Sequence, residues 1–257
     1  MGIGTKSGIM AASGVAGYSN TYSFAFDGSN DFFTAGNPSN LNFEKDEDFS
    51  VSFWIKRPLG SSTKIIGGRA NASSPFSGYI IFINSSNKLF WRLRGPNARH
   101  IGLKTSGTVP DNVWTNYVLI FNGTGGGLPN NTFFNIYENG VDISTVSLDT
   151  GNPTDISGVS IPFNVGTRDD TATSTFEGNI DEFAVYDYVL TAANAVTIYN
   201  SGVPNDISSF NPVSWWRMGE NATWDGSQWT MVDQGSGGND ATSNNMAEAD
   251  REEEVPN

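Results

Sequence analysis

The sequence predicts an all-β protein, a two-sheet antiparallel sandwich with one short helix. Short runs in which apolar and polar residues alternate recur along the chain, each bounded by Gly, Asn, Ser or Pro. Glycine supplies 29 of the 257 residues and charged residues only 16%, a composition typical of β-proteins with many turns. A chain of this length can form one large domain.

The composition excludes several kinds of function. Cysteine is absent and His100 is the only histidine, which excludes disulfides, thiolate chemistry and sites built from several imidazoles. A net charge of −13 argues against nucleic acid and against an anionic membrane surface, because both attract cationic proteins. We expect no secretory signal and no membrane insertion, since no apolar run approaches the roughly 18 residues of a membrane helix.

The first strands follow residues 1–17, which we expect to be a flexible arm because they have little side-chain bulk to bury. Residues 22–34 read as a strand, a turn and a second strand, with Phe24 and Phe26 on one face. Residues 49–56 predict a strand whose apolar face carries Phe49, Val51 and Phe53.

The middle of the chain predicts a series of short strands. Asn139-Gly140 supplies the positive φ of a tight hairpin turn within one of them. The predicted strands are residues 63–67, 79–83, 89–94, 99–104, 113–121, 132–141 and 161–166.

The closing strand is predicted over residues 179–188. Strict alternation places Asp181 with Phe183 and Val185 on one face, and Glu182 on the other. A helix is expected over residues 192–200, with Thr191 as its N-cap and with Gly202 and Pro204 ending it.

Five ordered segments resemble the laminin-G-like, concanavalin A-like sandwich domains, and together they span residues 21–200. The segments are Phe-Asp-Gly-Ser-Asn-Asp at 26–31, Phe-Ser-Val-Ser-Phe-Trp-Ile-Lys at 49–56, Trp-Thr-Asn-Tyr-Val at 114–118, Tyr-Glu-Asn-Gly-Val at 137–141 and Gly-Asn-Ile-Asp-Glu-Phe-Ala-Val-Tyr-Asp at 178–187. The resemblance implies a jelly-roll sandwich over residues 18–203. It is specific for the fold and weak for function.

The tail, residues 204–257, breaks the family order. Its segments at 215–220 and 233–242 resemble a part of the family that normally precedes the first strand. Two arrangements fit: the tail completes its own sandwich, as in a circular permutation, or it completes a neighbouring copy. Residues 246–255 are acidic and predict a short helix or a solvated end.

A calcium site is one candidate, because turns rich in Asp, Asn and Gly supply the oxygen ligands that this ion prefers. By resemblance, the ion would join the opening turn to the closing strand. The predicted ligands are Asp27, Asn30, Asp31, Asp181 and Glu182. The alternative is that these side chains only form Asx turns and accept backbone hydrogen bonds. Arg168-Asp-Asp at 168–170 is a weaker candidate of the same kind.

A second candidate is a cationic hairpin that would bind an anionic glycan or an acidic partner subunit. Arg92 and Arg94 share one face of a predicted strand. The alternative is an ordinary solvated strand face. The full predicted ligand-binding set is Trp91, Arg92, Arg94, Asn97, Arg99 and His100.

Catalysis is not expected. Glycoside hydrolysis of the retaining kind needs two carboxylates about 5 Å apart, and the acids of the closing strand do not reproduce the spacing of the glucanases with this fold. The closing segment of the tail resembles that of marine bacteriophage structural proteins. This resemblance implies a virion surface protein (a capsid decoration or a fibre or tail component) that contacts other virion proteins and copies of itself. A carbohydrate-binding adhesion module that recognises cell-surface glycan is the alternative.

Overall fold

The computed structural model describes residues 18–60, 62–71, 77–124, 133–143, 145–148, 150–156, 160–168 and 174–257. The expected N-terminal arm, residues 1–17, lies outside the described residues. The strands in chain order are β1 (Ser23–Asp27), β2 (Phe32–Thr34), β3 (Phe49–Lys56), β4 (Lys64–Ala70), β5 (Gly78–Ile83), β6 (Leu89–Arg94), β7 (His100–Thr105), β8 (Thr115–Phe121), β9 (Phe134–Glu138), β10 (Val141–Asp142), β11 (Thr145–Ser147), β12 (Asn164–Val165), β13 (Glu177–Tyr186), β14 (Ser214–Trp216), β15 (Met218–Asn221), β16 (Thr223–Trp224), β17 (Trp229–Met231), β18 (Ala241–Asn244) and β19 (Arg251–Glu252).

All of these strands except β15 form two antiparallel sheets, which confirms the predicted sandwich. The first sheet has the order β10-β9-β8-β3-β13-β1-β19, and β14 also pairs with β13. The second has the order β11-β7-β6-β5-β4-β12-β2-β18-β17-β16. One α-helix among the described residues, α1 (Ala192–Tyr199), lies against the outer face of the first sheet. No helix in the described part of the chain is long and apolar enough to cross a membrane.

The core between the sheets is built by the alternation that the sequence predicts. Phe49, Val51 and Phe53 of β3 all enter it, while Trp54 points outward and stacks on Tyr199 of α1 with ring centroids 5.8 Å apart. Because successive side chains of a strand point to opposite sides, β3 has one face in the core and one face covered by α1.

The helix and the tight hairpin also form as predicted. Thr191 Oγ1 accepts a hydrogen bond from Asn194 N at 3.1 Å, so it caps α1. Asn200 ends the helix in the left-handed region (φ 44°), ahead of the expected Gly202. Asn139 and Gly140 both have positive φ (51° and 74°) in the β9–β10 turn.

A β-bulge in β13 moves Asp181 off its predicted face, whereas Phe183 and Val185 share the core face as predicted. The register with β3 shifts between Asp181 and Ala184, and Glu182 takes φ 49°. Ile180 and Phe183 consequently face the core, whereas Ala184 joins the outer cluster beneath α1. Asp181 therefore does not share the face of Phe183, because strict alternation fails where one extra residue enters the strand.

The tail pairs with both sheets of its own chain. β14 joins β13, β18 joins β2 and β19 joins β1. Trp216 of the tail is fully buried in the core, stacked on Phe163 at 5.4 Å. Residues 246–255 contain a 3-10 turn, Glu248–Asp250, followed by β19. The remaining described 3-10 turns are Ser39–Leu41, Asn200–Gly202 and Ser208–Phe210.

Candidate functional site

The arginine face, which we define as Arg92, Arg94 and Arg168, lies on the outer side of the second sheet. Arg92 and Arg94 project from β6, and Arg168 follows β12; the three line one small pocket of about 20 Å³. Burial, together with the positive charges of Arg94 and Arg168, lowers the pKa of Arg92 to about 10. Arg94 and Arg168 are therefore close enough for their charges to act on Arg92.

The floor of this face is apolar. The outer cluster of the second sheet consists of Ile65, Ala70, Ile80 and Phe82, with Phe90 packed against it. The guanidinium of Arg92 lies 4.9 Å from the centroid of the Phe82 ring, which is a cation–π distance. The Nε atom of Arg92 is buried, and Arg92 forms no hydrogen bond or ion pair with any described residue. The terminal nitrogens of Arg92, unlike the buried Nε, are therefore the donors that a ligand could reach.

Glycines flank the arginine side chains across the sheet. Gly78 of β5 stands opposite Arg94, and Gly102 of β7 stands opposite Arg92. A Cβ at Gly102 would run into the carbonyl oxygen of Trp91, so a larger residue does not fit there. Both glycines are therefore required by the close approach of the neighbouring strand backbone.

The other residues of the predicted cationic hairpin do not join this face. Trp91 is fully buried in the core, so it offers no ring to a ligand. Asn97 donates to Asn152 O at 3.0 Å and Arg99 donates to Thr150 O at 3.0 Å. His100 Nδ1 lies 3.1 Å from the hydroxyl of Thr150 as well. Asn97, Arg99 and His100 thus hold the loop after β11 in place.

The seam cluster, which we define as Asp181, Glu182 and Glu220, lies where the bulge of β13 meets the tail. One carboxylate oxygen from each residue lies within 4.8 Å of the others. Asp181 is fully buried and accepts hydrogen bonds from Asn20 Nδ2 at 2.7 Å and from Glu182 N at 2.8 Å. Burial and the neighbouring Glu182 carboxylate raise the pKa of Asp181 well above its usual range.

Glu182 is held by side chains of the tail. Its oxygens accept from Trp215 Nε1 at 2.5 Å and from Arg217 Nε at 3.1 Å. Burial raises its pKa to about 7, even though the Arg217 ion pair opposes this shift. The bulge places Glu182 next to Asp181 on the outer side of the sheet, so the two acids face the tail together.

The opening turn does not meet the seam cluster. In the register of β1 with β13, Asp27 pairs with Glu177. Glu177 comes four residues before Asp181, which separates the two by about 13 Å along the strand. Asp27 Oδ1 accepts from Ser29 N and Asn30 N, as an Asx turn does. Asp31 is buried and accepts from Asp27 N. One ion shared by the Asp27 turn and Asp181, as expected from the sequence, therefore does not fit this geometry. Asp169 and Asp170 of the weaker candidate lie outside the described residues.

The fit of a hard cation to the seam cluster can be judged from unsatisfied oxygens. Asn20 Oδ1 and Glu220 Oε2 are buried and have no hydrogen-bond partner among the described residues. Asn20 also contacts Asp181, and Glu220 lies in the same acid cluster. Oxygen atoms of this kind, beside a carboxylate with a raised pKa, are suitable ligands for calcium. Glu182 is less suitable because Trp215 and Arg217 already occupy its oxygens.

A third site, the tail cleft, was not expected from the sequence. It is a cleft of about 560 Å³ between residues 18–22 and the tail. Its lining residues are Tyr18, Ser19, Tyr22, Asp206, Ser208, Trp215, Arg217, Gly219, Glu220, Asn221, Gln234 and Arg251. The sequence did indicate that the tail occupies an unusual position in the family order. It did not indicate which side chains of the tail would come together in a cleft.

Comparisons with known proteins identify the fold. The family model described as the concanavalin A-like lectin/glucanases superfamily matches residues 14–196. A candidate carbohydrate-binding protein from Bacteroides ovatus is 16% identical and has a TM-score of 0.61; the match covers 90% of this chain and 60% of that one. The CBM40 of the Ruminococcus gnavus IT-sialidase is 16% identical with a TM-score of 0.53, over 69% of this chain and 96% of that one. No curated protein matches the sequence.

Proposed function

This chain belongs to the concanavalin A-like lectin/glucanase superfamily, and we propose that it is a carbohydrate-binding module that holds an anionic glycan on the arginine face. One observation carries the proposal: Arg92 is surrounded by the like charges of Arg94 and Arg168 and has no acidic partner among the described residues. Gathering positive charge is costly, so a site that does so in a chain of net charge −13 is suited to an anion.

The chemistry of the face favours a sugar acid or a sulfated sugar. A guanidinium presents a planar fork of donors that matches the two oxygens of a carboxylate or sulfate. Ile80 and Phe82 are buried beneath the guanidinium of Arg92 and support it from below. The Ruminococcus gnavus CBM40, which has a similar fold, has been solved in complex with α2,3-sialyllactose, an acidic glycan.

The proposal is tested with dextran sulfate as the anionic probe and unmodified dextran as the neutral one. We expect binding of dextran sulfate to weaken as salt rises. The double variant Arg92→Gln, Arg94→Gln should bind it at least tenfold more weakly. The matched control is Arg99→Gln, which removes the same charge from the same hairpin but outside the face. Equal binding of both dextrans, or equal losses in the double variant and the control, would refute the proposal.

The geometry supports binding without catalysis. Asp181 is fully buried, Glu182 is 4% exposed, and tail side chains occupy the oxygens of Glu182. A glycosidase needs its two carboxylates on either side of an accessible scissile bond. The acids of the closing strand cannot reach a substrate in this arrangement.

We also propose a structural calcium ion at the seam, held by Asp181, Asn20 Oδ1 and Glu220 Oε2. Such an ion would neutralise the buried carboxylate of Asp181 and the half-buried one of Glu220, and it would join three chain segments. After chelation, added CaCl₂ should raise the melting temperature of the native chain, and Asp181→Asn should abolish the rise. Asp27→Asn is the control, because the opening turn lies elsewhere. A rise that Asp27→Asn removes and Asp181→Asn retains would place the ion in the opening turn instead.

The role at a virion surface, with copies of this chain and other virion proteins as partners, remains a proposal based on the sequence resemblance of the tail. It is compatible with glycan binding, because a surface protein can present the arginine face outward. Analytical ultracentrifugation of the full chain tests the assembly part. We expect a defined oligomer, and a monomer at all concentrations would count against it.

A further inference from the structure

The tail cleft has the properties of a second ligand site. Its volume of about 560 Å³ falls within the roughly 300–1,000 Å³ of small-molecule sites. Most of its lining comes from residues 206–251, beyond the 14–196 that match the family model. It is formed around strands of the first sheet, whereas the arginine face belongs to the second sheet. The cleft is therefore a feature of this tail.

Arg251 is a half-buried cation of this cleft, and no described acid forms an ion pair with it. Its guanidinium lies 4.4 Å from the ring centroid of Tyr22 and 4.9 Å from that of Trp229. It makes no hydrogen bond or ion pair with any described residue. Two aromatic rings thus restrict the guanidinium while its donors remain available, and this arrangement reduces the entropy lost when a ligand binds.

The second cation of the cleft is already neutralised. Arg217 pairs with Glu182 at 3.1 Å, and its guanidinium also stacks on Tyr18 at 4.3 Å. Two further acids, Asp206 and Glu220, stand in the wall. They would repel a doubly charged phosphate more strongly than a single carboxylate. Arg251 is therefore the one point in the cleft at which an anion is attracted, and a ligand with one negative charge is repelled less by these two acids than a ligand with two.

The remaining lining groups suit hydroxyl groups. Ser208, Asn221 and Gln234 are neutral and can each donate or accept. Gly219 keeps the wall thin: it has φ 133°, and a Cβ there would collide with Tyr22. A side chain at this position would displace Tyr22 from its place against Arg251.

We infer that the tail cleft binds one carboxylated monosaccharide unit, with its carboxylate on Arg251 and its hydroxyls on Ser208, Asn221 and Gln234. The choice of a sugar rests on the proposed function. The choice of a carboxylate rests on the cleft itself. Carbohydrate binding would then use two separate surfaces of one domain.

The experiment titrates the full chain with D-galacturonate and with D-galactose, which differ at one carboxylate, and follows the indole N–H signals by NMR. We expect galacturonate to bind at least tenfold more tightly than galactose and to shift the signal of Trp229. Arg251→Gln should remove this preference. The matched control is the double variant Arg92→Gln, Arg94→Gln, which should keep galacturonate binding while it loses dextran sulfate.

Equal affinity for the two sugars, or unchanged galacturonate binding in Arg251→Gln, would overturn the inference. If dextran sulfate still bound in that case, the proposed function would stand without it. Loss of galacturonate binding in the double variant would place the sugar on the arginine face and also refute the cleft. Should Arg251→Gln fail to fold, the contrast between the two sugars and the Trp229 signal in the native chain still decide.

Discussion

Asp181→Asn is expected to stabilise the chain at pH 8 when divalent cations are chelated. The substitution keeps the shape of the side chain, and its carbonyl oxygen still accepts the hydrogen bond from Glu182 N. The new amide group would face Asn20, whose Oδ1 is buried and has no partner among the described residues. A flip of the Asn20 amide restores the hydrogen bond between the two side chains and exchanges the unpartnered Oδ1 for an unpartnered Nδ2, so removal of the charge adds no further unsatisfied group.

The magnitude follows from the pKa of Glu182. Its ordinary value of 4.5 rises to about 7 in the fold, and at about 1.4 kcal/mol per pH unit the difference corresponds to about 3 kcal/mol. Because the folded state binds this proton more tightly than the unfolded state, the stabilisation is complete below pH 4.5. It is lost as the pH rises through about 7. Asp181, whose pKa is also raised, adds a loss of the same sign.

The assay is urea unfolding at pH 4.5 and pH 8 in the presence of EDTA. The native chain should lose about 3 kcal/mol or more of unfolding free energy between the two pH values. Asp181→Asn should recover roughly 1–3 kcal/mol at pH 8, because it removes one buried charge and the repulsion of Glu182. A native chain that is equally stable at both pH values would refute the reasoning. So would a variant that is destabilised at pH 8.

Two further substitutions test the packing of the tail and the cap of the helix. Trp216→Ala should lower the free energy of unfolding by about 3–5 kcal/mol, because it empties a core position beside Phe163 and removes the hydrogen bond to Asn239 O. Urea unfolding measures this loss. A loss below about 1 kcal/mol would show that the tail is not part of the cooperative core. Thr191→Ala should lower the free energy of unfolding by about 1 kcal/mol, because the N-cap of α1 is lost. Thr191→Ser keeps the hydroxyl and should lower it less. Equal losses of stability in thermal unfolding of the two variants would contradict the role of the cap.

Several elements could be predicted because they depend on residues close in sequence. The β9–β10 turn needs positive φ at two positions, which Asn139 and Gly140 supply locally. Thr191 and Asn194 form their cap within one helical turn. The alternation in β3 assigns its faces because side chains of a regular strand alternate strictly.

The candidate sites could be predicted only in part. Arg92 and Arg94 were correctly placed on one face, since they are two residues apart in a regular strand. Trp91 was wrongly expected at the ligand site, because periodicity separates the two faces of a strand without showing which one is buried. Arg168 joins the face from a distant strand, and no local pattern indicates that contact.

The sequence by itself determined the sandwich, the positions of its main strands along the chain, the helix and the family. Alternation, turn chemistry and ordered motifs are properties of neighbouring residues. Tertiary structure decided the rest. The bulge at Glu182 turned two acids toward the tail, and the tail then supplied Arg217 and Glu220 to complete the seam. Arg251 reaches its aromatic partners Tyr22 and Trp229 only after β19 pairs with β1. These contacts join residues up to about 230 positions apart, and such contacts form only when the sheets close.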